Sequence, residues 1–226
     1  MTNIYVIPNW FFGYSIFLEV IFGIITLLVA FTAFKIYRIS KERELGLLSA
    51  GFVLISASYF AWSLINIFLV EELNETTRLL ILKNISVLSV IGIYSHILLF
   101  MCGLITLFYM TCKVETDRMY SLVIILAVLG VLFAYDKTLA IYSFSSIILA
   151  YIAGYYALTY KKKKNRFTRD VFISFSMLFI ANIVMLFPST TYSIYVIAHF
   201  FHLIAFSILL YTLISILKNG QKKKST

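Results

Sequence analysis

Between Phe11 and Phe34 the chain reads FFGYSIFLEVIFGIITLLVAFTAF, twenty-four residues with one charged side chain, Glu19. A membrane-spanning helix needs about 20 mostly apolar residues, because the hydrocarbon core is about 30 Å thick and each helical residue rises 1.5 Å. This run meets that length and exceeds the apolar segment of a cleaved leader. The preceding stretch, Met1 to Asn9, has no basic residue of the kind a leader carries, so the run is expected to be a retained first span.

Working outward, six more runs meet or approach the same length: Leu45–Val70, Ile85–Thr111, Met119–Tyr135, Leu139–Tyr160, Val171–Phe187 and Tyr192–Leu217. Only Asp136 and Lys137 separate the fourth from the fifth. For the fourth the alternative is a re-entrant hairpin made with the fifth, which would change the count of spans. Pro188, Ser189 and Thr190 break the sixth from the seventh. The expected fold is an all-α membrane protein, a seven-transmembrane helix bundle occupying residues 1–217, followed by a basic tail over residues 218–226. With 62% hydrophobic and 13% charged residues and a mean hydropathy of +0.95, the chain leaves no room for a soluble catalytic module.

The net charge of +9 would suggest a nucleic-acid partner in a soluble protein. Here the basic residues sit in short loops beside apolar runs, where they set orientation. With the N-terminus outside and the C-terminus inside, the inner segments hold Lys35, Arg38, Lys41 and Arg43, then Lys113 and Arg118, then Lys161 to Lys164 with Arg166 and Arg169, then Lys218 and Lys222 to Lys224. These are 16 of the 19 basic residues, leaving Arg78, Lys83 and Lys137 outside. The bias predicts an N-out, C-in multi-pass protein of the plasma membrane whose basic loops meet anionic headgroups rather than nucleic acid. Trp10, Tyr14, Tyr37, Tyr109, Tyr120, Tyr135, Tyr160 and Tyr192 lie near span ends, as interfacial anchors do. The outer loop contains the sequon Asn74-Glu75-Thr76. Cys102 and Cys112 share one run, about 15 Å apart along a helix, and cannot bond to each other there.

Ionisable residues inside spans are costly and mark candidate sites. Besides Glu19, this chain carries His96, His199 and His202 within its runs, and these are all of its histidines. Counting residues from the outer ends places the four about 10 to 17 Å deep, with Asn66 and Asn182 about 6 to 8 Å deep. Small and hydroxylated neighbours predict inward-facing stripes: Ser15, Glu19, Gly23 and Thr26; Ser56, Tyr59, Ser63 and Asn66; Ser89, Gly92 and His96; His199, His202 and Phe206.

Three chemistries fit this set. The first is a pocket in the outer half, formed by Glu19, Asn66, His96, Asn182, His199 and His202, that senses an uncharged or zwitterionic small molecule or a proton. The second is a zinc ion held by His96, His199 and His202 with Glu19 as ligand or base. The third is haem held between His96 and a seventh-run histidine. A bland alternative is that the polar residues only secure helix packing.

The topology is similar to that of the microbial rhodopsins, but they carry a retinal-binding lysine in mid-seventh helix. Here only Lys218 at the inner end is near, so retinal is not expected. The zinc hydrolases resembling alkaline ceramidase also share the topology. Their seventh-helix pair is His-x-x-x-His, against His199-x-x-His202 here, and their intramembrane Asp has no match in the third run.

A third resemblance is carried by Lys35-Ile-Tyr-Arg38 through Glu44, Leu47-Leu48-Ser49-Ala50-Gly51-Phe52 and Ser56-Ala-Ser-Tyr59. A basic inner loop entering a helix with this Gly-Phe step resembles the seven-transmembrane sensor modules of archaeal and bacterial membrane histidine kinases and diguanylate cyclases. That resemblance implies a free-standing, non-enzymatic sensor or binding protein. Because the chain ends at Thr226 without an output domain, it would signal through a membrane or cytoplasmic protein partner. The runner-up is an intramembrane zinc-dependent hydrolase, and the third class is a structural subunit of a membrane complex.

Overall fold

A computed structural model describes residues 9–74, 80–112, 117–186 and 192–222. Glu75 and Thr76 of the sequon, the Pro188–Thr190 break, and Arg78, Lys113, Lys223 and Lys224 lie outside the described residues, as does the side chain of Ser89. The described residues form seven α-helices and no strand: α1 (Asn9–Ser40), α2 (Arg43–Asn74), α3 (Leu80–Cys112), α4 (Asp117–Leu132), α5 (Lys137–Lys163), α6 (Arg166–Leu186) and α7 (Tyr192–Lys222). Each expected run became one helix, and several helices extend past the apolar run into the basic loops.

Six of the seven are long and apolar enough to cross a membrane. The exception is α4, whose 16 residues rise about 24 Å, short of the roughly 30 Å core. It starts two residues before the expected run and stops three residues early. Phe133, Ala134 and Tyr135 leave the helix because Asp136 caps α5: its extended backbone (φ −106°, ψ 103°) lets its carboxylate accept from the Leu139 N–H at 3.0 Å. Phe133 and Tyr135 are consequently 85% and 89% exposed.

Packing order explains how a short α4 is tolerated. Among the described residues α1 contacts α2 and α7, α2 contacts α3, α3 contacts α5, α5 contacts α6, and α6 contacts α7. These six helices close a ring. The short α4 touches α3 and α5 alone, and so stands outside it. Two connections in the ring are only two residues long, Lys41–Glu42 and Lys164–Asn165. Each begins with a lysine in left-handed backbone, φ 60° at Lys41 and 48° at Lys164, whose N–H donates to the carbonyl four residues back at 2.8 Å.

In lipid, apolar surface alone does not drive helices together, and close approach through small residues does. The α1–α2 seam is pinned by Ser56 Oγ donating to the Gly23 carbonyl at 2.8 Å and Ser49 Oγ donating to the Ala30 carbonyl at 2.9 Å. At the α2–α3 seam Gly51 and Gly103 face each other so closely that a Cβ on Gly103 would lie 2.8 Å from the Gly51 carbonyl oxygen. Phe52, Ile55, Met101, Leu149 and Phe175 then fill the ring's interior.

Candidate functional site

The expected inward stripes are buried on α1, α2 and α7. On α3, Gly92 is buried while His96 is half-buried. Glu19, 5% exposed, sits where α1, α2 and α7 converge. Trp62 and Asn66 are four residues apart on α2 and so share one face toward it. Carboxylate Oε1 accepts from Trp62 Nε1 at 3.0 Å and from Ser15 Oγ at 3.4 Å, while Oε2 accepts from Asn66 Nδ2 at 3.1 Å. These partners are all neutral donors. Ser15 Oγ also lies 3.1 Å from Tyr195 Oη on α7. A serine hydroxyl has one proton, so with that proton directed at Glu19 the Tyr195 hydroxyl is the donor to Ser15. One carboxylate thus organises hydrogen bonds from three helices.

The histidines share a different local rule. His199 Nδ1 lies 3.0 Å from the Tyr195 carbonyl and His202 Nδ1 2.9 Å from the Ala198 carbonyl, each one turn earlier on α7. His96 Nδ1 reaches across to the Ser58 carbonyl of α2 at 3.2 Å. A carbonyl oxygen only accepts, so Nδ1 carries the proton in each ring and Nε2 of the neutral imidazole is the acceptor. His202 Nε2 lies 3.5 Å from Asn182 Nδ2 on α6.

The six residues expected to form one pocket therefore divide into groups. Glu19 and Asn66 are joined directly, and His202 meets Asn182. His199 packs against Tyr195 with ring centres 4.3 Å apart and planes tilted by 44°, and its ring lies 6.5 Å from that of His202. His96 is set apart: its ring neighbours are Tyr59, Trp62 and Phe100. Tyr59 in turn packs on Phe22, and Phe22 packs on both His199 and His202. This aromatic wedge of Phe22 and Tyr59 lies between the α3 histidine and the α7 pair. Among the described residues no group of three or more His, Cys, Asp or Glu side chains is placed to hold a metal ion. The expected zinc set of His96, His199 and His202 is thus not brought together, and the same wedge fills the place where haem between His96 and α7 would lie.

The cavity that His202 and Asn182 line measures about 10 Å³, and its other walls are apolar, among them Phe52, Phe100, Leu149 and Phe175. Around His202 and Asn182 the described residues are thus closely packed. Sequence reading missed two of its members, Trp62 and Tyr195. Their spacing held the signal: Trp62 is four residues before Asn66, and Tyr195 four before His199. No protein family, curated protein or solved structure matches this chain.

Proposed function

We propose that this membrane helix bundle is a non-enzymatic sensor or binding protein, with the Glu19 cluster as its responsive element and a protein partner as its output. The observation that supports this most is the convergence on one buried carboxylate of donors from α1 and α2, extended through Ser15 to Tyr195 of α7. A buried carboxylate in a span is costly to keep, and packing alone is served by Ser, Gly and Asn. Any change in the charge or hydrogen bonding of Glu19 alters bonds on three helices at once. With the N-terminus outside, the cluster occupies the outer half of the bundle.

Trp62 makes the reading testable. The chain has two tryptophans, so a Trp10→Phe background isolates the emission of the indole bonded to Glu19. In lipid nanodiscs, proton titration and small zwitterionic additives should shift Trp62 emission, and Glu19→Gln should abolish that response. Emission from Trp62 that is unresponsive in the Glu19 protein, or that responds equally in Glu19→Gln, would refute the proposal.

A further inference from the structure

Beyond the Glu19 cluster, the middle of the ring holds an incompletely bonded pair. Asn182 is 2% exposed. Its Nδ2 donates to the Leu178 carbonyl one turn back at 2.9 Å, which fixes the orientation of the amide, because a flipped amide would set oxygen against oxygen. The other end, Oδ1, is buried and has no hydrogen-bond partner among the described residues. Across from it, His202 Nδ1 is committed to the Ala198 carbonyl, so Nε2 offers a lone pair, met among the described residues by the long 3.5 Å approach of Asn182 Nδ2. Two acceptors, Asn182 Oδ1 and His202 Nε2, therefore belong to residues lining one cavity of about 10 Å³ with apolar walls.

A buried polar atom without a partner is destabilising, and water normally relieves it where polar groups border a space large enough for one molecule, on the order of 10–15 Å³. The cavity has about that size, and a group that donates twice satisfies both acceptors. We infer that the Asn182–His202 pair binds one water molecule, which donates one hydrogen bond to Asn182 Oδ1 and the other to His202 Nε2 and so pins α6 to α7 inside the ring. The site is independent of the Glu19 cluster and stands whether or not that cluster senses anything.

Three histidines make the test simple. The whole chain, labelled with ¹⁵N-histidine and reconstituted in lipid bilayers, is examined by solid-state NMR with magnetisation transferred from water to the ring nitrogens. His202→Gln removes one set of signals and assigns it. We expect water-to-Nε2 transfer at His202, lost in Asn182→Leu while the His96 and His199 signals are retained. Absence of transfer at His202 in the unmodified chain, or transfer unchanged in Asn182→Leu, overturns the inference. Should Asn182→Leu fail to assemble, the unmodified chain alone decides.

Discussion

The α1–α2–α3 wall and the α4 flank solve the same problem with different materials. In the wall, helices approach until backbone nearly meets backbone at Gly51 and Gly103, and hydroxyls of Ser49 and Ser56 bond carbonyls of the facing helix. At α4, Leu122, Ile125, Leu126 and Leu129 face outward, Phe144 lies over Gly130, and Thr106 reaches Tyr120 at 2.8 Å. The difference teaches what specifies position inside lipid. Apolar side chains are as content facing lipid as facing protein, so they leave a helix on the periphery, whereas small and polar residues fix neighbours at a defined distance.

Substitutions graded across the two regions test that account, with stability read as unfolding free energy in detergent or bilayer. Gly103→Ala should be most severe, because its Cβ meets not only Ile55 Cγ1 but also two backbone atoms that cannot yield, the Gly51 carbonyl oxygen and the Ile55 nitrogen; overpacking of this kind costs roughly 1–3 kcal/mol. Trp62→Phe removes one donor to Glu19 and should cost about 1.5 kcal/mol, the range for bonds to charged groups. Ser56→Ala removes one interhelical bond and should cost about 0.6 kcal/mol, the average for such bonds in membranes. Leu126→Ala, at a site 60% exposed on α4, should stay within about 0.5 kcal/mol of the unmodified protein. If Leu126→Ala proves as damaging as Gly103→Ala, the contrast between wall and flank is wrong. A Ser56→Ala loss well above that of Trp62→Phe would instead move the weight from the Glu19 cluster to the α1–α2 seam.

Much of this was legible in the sequence, because hydrophobic length is a local property. All seven helices and the buried stripes around Glu19, Ser56 and His202 follow from runs and from 3–4 spacing. The end of α4 was not legible: Phe133, Ala134 and Tyr135 are as apolar as the helix before them, and what excludes them is the cap that Asp136 places on the next helix. Nor was the division of the site. Shared depth brings Glu19, Asn66, Asn182 and the histidines into one layer, but how each helix is rotated decides who touches whom. That rotation put Phe22 and Tyr59 between His96 and the α7 histidines. Trp62 escaped notice because aromatic residues in spans are first read as interface anchors, although its spacing from Asn66 placed it on the polar face.

The two-residue connection at Lys41–Glu42 makes α1 and α2 the arms of a pair of tweezers hinged at one end. Glu19 lies 22 residues from that hinge along α1, a lever arm of about 33 Å. A change of about 3° in the angle between the arms moves the carboxylate by about 1.7 Å relative to its partners on α2, more than a hydrogen bond survives. The bonds from Trp62 and Asn66 to Glu19 are therefore the most sensitive gauge of helix angle along that seam, and whatever opens or closes them is transmitted, much reduced in amplitude, to the basic turn at the opposite end.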